Sequence, residues 1–168
     1  MLAGGAIVLL SITSLYINKA FYLNSKVMED SKIAVLATSI TSSIIEDATG
    51  GRFDEATVSG GTITQTTALT PKANLGRDGS AERVNQTKTF DDFDDFNGLD
   101  STYSINIGGT LKTVAFRAKV AVEYIVANDP NTVSNTQTFH KRMTVTVTSP
   151  SITDTIRARY VMSYWFFR

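Results

Sequence analysis

The chain has 168 residues, of which 42% are hydrophobic and 19% are charged, so it can form one modest core. Its 16 basic and 16 acidic residues balance, which argues against a nucleic-acid partner. It contains no cysteine, which excludes disulfides, thiol nucleophiles and thiolate metal sites. We therefore expect one globular domain with an appendage, held together by packing or by neighbouring copies.

The N-terminal segment, residues 1–18, is apolar and carries no charged side chain before Lys19. It is just long enough to cross a bilayer. Each aliphatic side chain favours insertion by about −0.3 to −0.6 kcal/mol, while its serines, threonine and glycines oppose insertion. The balance predicts a membrane helix that can be withdrawn from lipid. The alternatives are a plain single-pass anchor and a cleaved secretory peptide, although no clear positive n-region or cleavage site is present.

The helix is predicted to continue beyond Lys19, because no proline or glycine follows until Gly50-Gly51. Residues 27–48 are amphipathic. Their apolar stripe recurs at three- and four-residue spacing and consists of Ile33, Leu36, Ala37, Ile40 and Ile44. A helix of about 49 residues would be roughly 70 Å long. A membrane anchor alone would not need the amphipathic half.

The rest of the chain is rich in threonine, valine, isoleucine and aromatic residues, which is typical of β-strands. The clearest strand is residues 110–127, with Arg117, Lys119 and Glu123 on its polar face. Its apolar face comprises Val114, Phe116, Ala118, Val120, Val122, Tyr124 and Val126. Residues 128–131 break this strand, and residues 139–148 form an antiparallel neighbour. In the neighbour, one face carries Met143, Val145 and Val147, and the other carries Arg142, Thr144, Thr146 and Thr148.

Further strands are predicted at residues 154–167, 56–69 and 102–107. One face of the last strand in the chain carries Ile156, Ala158, Tyr160, Met162, Tyr164 and Phe166. We interpret the C-terminal aromatic residues as a core strand with one exposed edge, and a binding surface is the alternative; they are Tyr160, Tyr164, Trp165, Phe166 and Phe167. His140, the one histidine, is expected to be exposed on its strand.

The apolar face of this sheet needs a cover, and the stripe on the second half of the helix is the cover that the chain offers. The predicted fold is α+β, with a long N-terminal α-helix packed by its second half on an antiparallel β-sheet. The helix comprises an apolar part, residues 1–23, and an amphipathic continuation, residues 24–50. Residues 51–168 form a β-rich head, and the whole molecule has the shape of a lollipop.

Three stretches carry a family resemblance: the apolar N-terminal helix, residues 37–55 (ATSITSSIIEDATGGRFDE) and residues 90–98 (FDDFDDFNG). In these stretches the chain resembles the type IV pilin and pseudopilin family, and most closely minor pilins of the mannose-sensitive haemagglutinin type. Residues 37–55 are similar to the helix end and the short FDE-bearing turn of those proteins. Residues 90–98 resemble an aspartate-rich loop before their sheet, and this is the specific part of the likeness.

The chain departs from the family pattern in three ways. Members usually begin with a short basic leader that ends in glycine and is cut by a prepilin peptidase, and none precedes Met1. Members usually place a glutamate at the fifth mature position, where it meets the amino terminus of a neighbour; if Met1 is the mature start, that position is Gly5. The C-terminal disulfide loop of many major pilins is missing, so we expect the head to be locked by its sheet or by neighbouring subunits.

The resemblance implies a structural subunit of a type IV pilus-like extracellular filament. Such a subunit is inserted in the cytoplasmic membrane before assembly and then forms a helical homo-oligomer through its N-terminal helix. The expected assembly interface consists of Leu2, Ile7, Val8, Leu9, Leu10, Ile12, Leu15, Ile17 and Phe21. The alternatives are a minor pilin or pseudopilin of a secretion apparatus, and a membrane-anchored binding domain. We expect no cofactor and no nucleic-acid partner.

A cluster of aspartates offers hard oxygen ligands of the kind that calcium prefers, namely Asp91, Asp92, Asp94 and Asp95. An EF-hand alignment fails, because placing Gly98 sixth puts Phe93 first and Ser104 twelfth, where carboxylates are required. We favour a structural loop in which Phe90, Phe93 and Phe96 enter the core while the aspartates cap turns and face water. The sequence shows no nucleophile with a base, no phosphate loop and no metal triad, so we expect no enzymatic activity.

Overall fold

The computed structural model describes residues 2–79, 82, 86–108 and 113–164. The fold is α+β, as predicted. The helices are α1 (Leu2–Gly50) and α2 (Glu55–Val58), with 3₁₀ turns at Thr66–Ala68, Lys72–Asn74, Thr87–Thr89 and Asp94–Phe96. The strands are β1 (Asp100–Ile105), β2 (Val114–Val126), β3 (Asp129–Val133), β4 (His140–Thr148) and β5 (Ile156–Ser163).

The long helix α1 has the predicted length of 49 residues and ends at the predicted glycine pair. A Cβ atom at position 51 would lie 3.1 Å from the carbonyl oxygen of Asp91. The close approach is fixed by two hydrogen bonds, from Arg52 N to Asp91 O at 2.9 Å and from Phe93 N to Arg52 O at 2.9 Å. The end of α1 is therefore joined directly to the aspartate-rich loop.

The described strands form one antiparallel sheet of five, ordered β1-β2-β4-β5, with β3 paired to the end of β2. The long strand β2 pairs with β4 over eight positions, with Val120 opposite Val145 and Val122 opposite Met143. Because side chains alternate between faces, these valines and methionines share one apolar face. The predicted pair of neighbouring strands and the strand at residues 102–107 are confirmed.

The second half of α1 covers this apolar face, as the stripe predicts. Ile33, Ala37, Ile40 and Ile44 are buried, and Leu36 is partly buried against the same core. The stripe continues one turn further to Ala48, which is also buried. The core therefore lies between the second half of α1 and the sheet.

The strand predicted at residues 56–69 is wrong. This segment begins with α2, for which Asp54 is the N-cap: its carboxylate accepts a hydrogen bond from Ala56 N at 3.2 Å, and its own N–H donates to Thr57 Oγ1 at 3.3 Å. The 3₁₀ turn Thr66–Ala68 ends it. Threonine-rich composition favours a strand, but the capping interactions close the backbone into a helical turn instead.

The face assigned to the end of β2 is also wrong. Val126 was expected on the apolar face but is 39% exposed, whereas its neighbour Ile125 is buried. The pairing register with β3 shifts between these two residues, which exchanges the faces. The break predicted at residues 128–131 is shorter than expected: the turn lies at residues 127–128, and residues 129–131 belong to β3, where Asp129 Oδ1 accepts a hydrogen bond from Asn131 N at 3.0 Å.

Two polar residues of β4 are less exposed than predicted. Arg142 is 8% exposed, because its guanidinium donates to Pro130 O at 2.9 Å in β3 and forms an ion pair with Glu123 at 2.9 Å. His140 is half-buried, and its Nδ1 lies 2.8 Å from Ser163 Oγ on β5. The strands β3 and β5 cover these positions. The alternation of polar and apolar residues along β4 does not by itself predict these contacts.

The C-terminal strand β5 lies at an edge of the described sheet. Tyr160 is 39% exposed, and the half-buried Tyr164 stacks on Phe139 with ring centres 5.7 Å apart. The hydroxyl oxygen of Tyr164 accepts a hydrogen bond from Ile63 N at 2.9 Å. These contacts agree with a core strand that has one exposed edge. The predictions for Trp165, Phe166 and Phe167, and for the strand start at residues 110–112, lie outside the described residues.

Candidate functional site

The first half of α1, residues 2–23, is called here the apolar arm. Its large hydrophobic side chains are between 44% and 71% exposed. They are Ile7, Val8, Leu9, Leu10, Ile12, Leu15, Tyr16, Ile17, Phe21, Tyr22 and Leu23. The predicted assembly residues within this set are therefore all on the surface, whereas the side chain of Leu2 lies outside the described part of the structure.

Every side of the apolar arm carries hydrophobic residues, although Asn18 and Lys19 are polar. Ile7, Val8, Leu9 and Leu10 are consecutive, and at about 100° per residue they point in four directions around the helix. A helix that is apolar all round requires apolar surroundings on all sides. By length and composition, α1 is able to cross a membrane or to act as a signal sequence.

Two hydroxyl groups within the apolar arm form hydrogen bonds with the backbone of the helix itself. Ser11 Oγ donates to the carbonyl oxygen of Ile7 at 2.9 Å, and Thr13 Oγ1 donates to that of Leu9 at 3.0 Å. Such internal hydrogen bonds remove the need for water. The helix also runs through Gly4 and Gly5, where an added Cβ would meet nothing within 4 Å. The arm is thus compatible with lipid or with other apolar helices.

Exposed apolar surface continues beyond the apolar arm to the root of the head. Val27, Met28 and Val35 are 57% to 68% exposed. Val35 lines a shallow groove with Leu36, Ile105 and Ile107, between α1 and the residues that follow β1. This surface was not predicted from the sequence. The available signal was that these three residues are apolar but lie off the core stripe.

The aspartate-rich loop inserts its aromatic residues into the core, as predicted. Phe93 and Phe96 are buried, and Phe90 packs edge-on against Phe96 with ring centres 4.9 Å apart. The predicted capping role of the aspartates is also confirmed. Asp92 Oδ1 accepts a hydrogen bond from Asp94 N at 2.7 Å, and Asp95 Oδ2 accepts one from Asp92 N at 3.1 Å.

The prediction that these aspartates face water is wrong for three of the four. Asp92, Asp94 and Asp95 are each 2% exposed, and Asp91 is exposed. Burial, with the neighbouring carboxylates of Asp94 and Asp95, raises the pKa of Asp92 to about 8. Burial likewise raises the pKa of Asp95 to about 7. The hydrogen bonds of the loop therefore hold carboxyl groups that keep their protons at mildly acidic pH.

The structure divides the four calcium candidates. Asp92 and Asp94 point into the head, and Asp95 is the candidate that joins a group of three carboxylates with Asp78 and Glu82. The ligand oxygens of this group lie within 4.8 Å of one another. Asp95 Oδ2 already accepts hydrogen bonds from two backbone N–H groups, those of Asp91 and Asp92. Calcium binding stays a prediction.

A buried charged cluster centred on Lys141 was not predicted from the sequence. The Lys141 side chain is fully buried, and its Nζ donates to Phe53 O at 2.8 Å, to Asp54 Oδ2 at 2.7 Å and to Asp94 Oδ1. One signal was present in the sequence. Lys141 falls on the same alternation as Met143, and so it occupies a core-facing position of β4.

Asp54 lies at the base of this cluster. Besides Lys141, its carboxylate accepts hydrogen bonds from Thr70 N at 3.0 Å and from Tyr124 Oη at 3.1 Å. Burial alone would raise the pKa of Asp54, but the Lys141 charge and these donors hold it below its ordinary value. Burial and Asp54 raise the pKa of Tyr124. The cluster joins the end of α1, the aspartate-rich loop and the centre of the sheet.

Relatives add nothing to this description. Comparison of the chain with models of protein families, with curated proteins and with solved structures gives no match.

Proposed function

We propose that this protein is a structural subunit of a type IV pilus-like extracellular filament, which polymerises through its apolar arm and displays its head outside. The observation that supports this most strongly is the apolar arm, which is exposed on every side. Water contact with apolar surface costs about 25 cal/mol for each Å². A helix of this kind needs lipid before assembly and the helices of neighbouring copies after it.

The length of the exposed apolar surface favours a filament over a simple anchor. Residues 2–23 extend about 33 Å at 1.5 Å per residue, which already matches a hydrocarbon layer of about 30 Å. Val27, Met28 and Val35 lie beyond that length, yet they are as exposed as the arm itself. In a membrane-anchored monomer they would face water. In a bundle of copies, neighbouring helices would cover them.

The polar content of the arm supports reversible membrane residence. Ser11 and Thr13 satisfy their hydroxyl groups within the helix, so they can lie in lipid or against a neighbour. They also reduce the free energy of insertion, since hydroxyl residues favour lipid less than leucine does. The helix can therefore leave the membrane more readily than a leucine-rich anchor. The sequence resemblance to type IV pilins, especially at residues 90–98, points to the same assembly.

Electron microscopy of sheared material tests the proposal. Cells that express the chain are sheared, and the released material is negatively stained and labelled with antibody against the head. Thin filaments labelled along their length would support a major subunit, and sparse label on a filament would support the minor-subunit alternative. A chain that stays in the membrane, with no filament formed, would contradict the proposal and favour an anchored binding domain or a pseudopilin.

A further inference from the structure

The interior of the head holds an amine and two carboxyl groups in contact and away from water. Lys141 Nζ donates to Asp54 Oδ2 and to Asp94 Oδ1, and none of the three side chains is more than 2% exposed. The rings of Phe53 and Tyr124 lie 4.6 and 5.3 Å from the nitrogen and form the walls of the cluster. Groups held in this way react as if at very high concentration.

We propose that Lys141 and Asp94 join in an intramolecular amide bond. Nζ of Lys141 forms a bond to Cγ of Asp94, and one carboxyl oxygen leaves that carbon as water. An ammonium and a carboxylate together contain the atoms and charge of an amine and a carboxylic acid. One proton transfer within the pair therefore prepares the reaction, and no oxidant, cofactor or other reagent is needed. The bond replaces the ammonium and the carboxylate of Asp94 with one neutral group, and the carboxylate of Asp54 keeps its hydrogen bonds from Thr70 and Tyr124.

The hydrogen bonds distinguish Asp94 from Asp54 as the reacting carboxyl group. Asp54 accepts donors from Thr70 and Tyr124 as well as from Lys141, and these hold it as a carboxylate, which is a poor electrophile. Burial raises the pKa of Asp94, which makes its neutral acid form accessible. Asp54 is then the neighbouring base that receives the proton which the amine loses on attack.

Asp92 completes the arrangement on the other side of Asp94. The two side chains share a hydrogen bond, and burial raises the pKa of Asp92 to about 8. Asp92 is therefore placed to give a proton to the oxygen that leaves as water. Asp54 gains one proton and Asp92 gives one, so proton exchange restores both and water is the net product. Residues 54 and 92 act here as positioning and proton-transfer groups.

The bond would lock the head in the way that a disulfide locks other exported domains. It connects the 3₁₀ turn Asp94–Phe96 to β4, across 47 positions of the sequence. The chain has no cysteine with which to form such a link. This inference does not rest on the proposed filament function, because it concerns the interior of the head alone.

The mass of the intact, denatured chain tests the bond. The full-length protein, purified in detergent, is expected to be lighter than its sequence mass by one water. A tryptic digest is expected to lack cleavage after Lys141 and to yield a branched peptide that joins Lys141 to Asp94. The same chain supplies a control, since Lys119 Nζ lies 3.8 Å from Asp100 Oδ2 on the exposed surface and should remain cleavable.

Two variants extend the test. Lys141→Arg keeps the positive charge but cannot form the amide, so it should have its full sequence mass. Asp94→Asn should release ammonia in place of water, and its linked form should then have the same mass as the linked wild-type chain. A wild-type chain at full sequence mass would overturn the proposal and leave a buried ion cluster. A branched peptide that contains Asp54 would overturn the assignment of Asp94.

Discussion

The two halves of α1 share one backbone conformation but differ in what surrounds them. In the second half, one stripe is buried against the sheet, and Ile33 and Ala37 are at most 1% exposed. In the first half every side is apolar and exposed, and Leu10 is 71% exposed. Burial of apolar surface thus stabilises the head through the second half of α1, whereas the apolar surface of the first half stays exposed. Exposed apolar surface of this extent is typical of a part of a protein that contacts a membrane or another protein.

The largest expected difference in stability is between two variants that each place one charge in one half of α1. Ile33→Asp buries an unpaired carboxylate in the core and should lower the free energy of unfolding of the head by more than about 4 kcal/mol. Leu10→Asp lies on the exposed arm and should change it by no more than about 0.5 kcal/mol. Denaturant unfolding of both variants in detergent measures the difference. Equal losses would show that the arm is part of the folded core.

The same contrast should hold for ion pairs. Lys141→Met removes the amide bond as well as the cation, and leaves the carboxyl groups of Asp54 and Asp94 buried without that partner, so it should lower the free energy of unfolding by about 3 to 5 kcal/mol. The control is Arg117→Met, which removes an exposed pair with Asp100 and should leave stability nearly unchanged. Thermal unfolding of the two variants provides the measurement. A wild-type melting temperature for Lys141→Met would contradict a structural role for the cluster.

Stability of the head should fall as pH rises through the neutral range. Burial raises the folded-state pKa of Asp92 to about 8 and of Asp95 to about 7, well above their unfolded values. Such groups stabilise the fold fully below their unfolded pKa, and the contribution is lost as pH rises through the folded one. Unfolding between about pH 5 and pH 8 measures the slope, which Asp92→Asn should flatten. A head that becomes more stable over this interval would contradict the assignment.

The opposite sign applies to Asp54. While Lys141 is a free ammonium, it holds the folded-state pKa of Asp54 below its ordinary value, so the contribution of Asp54 is present at neutral pH and is lost as pH falls through that lowered pKa. The head should therefore be most stable in mildly acidic solution, between the range where Asp54 takes up a proton and the range where Asp92 loses one.

The smallest expected effect distinguishes two adjacent glycines at the end of α1. Gly51→Ala places a Cβ 3.1 Å from the backbone of Asp91 and should lower the free energy of unfolding by about 1 kcal/mol. Gly50→Ala meets nothing within 4 Å and lies in the helix, so it should raise stability by up to about 1 kcal/mol. Denaturant unfolding of the two variants measures both changes in stability. An equal loss of stability in both variants would show that the close approach at Gly51 is not the cause.

Periodic parts of this fold are predictable from the sequence. The helix α1 follows from the absence of glycine and proline after Lys19, and its covered face follows from the three- and four-residue spacing of the stripe. The strands β2 and β4 follow from strict alternation. The aromatic insertions of the aspartate-rich loop follow from the three-residue spacing of Phe90, Phe93 and Phe96. In each case the pattern is local and repeats over several residues.

The parts that could not be predicted depend on contacts between distant residues. Lys141 contacts Asp94 and Asp54, which lie 47 and 87 positions away in the sequence, so no local sequence pattern predicts the buried cluster. The burial of Asp92 has the same cause, because its backbone pairs with Arg52, 40 positions earlier, just after the end of α1. Threonine-rich residues after Asp54 resemble a strand until the capping contacts of that aspartate are known. The exposed surface at Val27, Met28 and Val35 is recognised only after the core stripe is known.

Assembly through the apolar arm is tested most directly by counting filaments from a variant that carries a charge in the arm. Leu10→Asp is compared with Val161→Asp, which places the same charge on an exposed apolar residue of the head. Sheared filaments are counted by electron microscopy, and an immunoblot confirms that the cells hold equal amounts of each chain. We predict that the Leu10→Asp variant forms no filaments although its head remains folded. The Val161→Asp variant should form filaments as the wild type does. Stable filaments from Leu10→Asp would contradict assembly through the apolar arm.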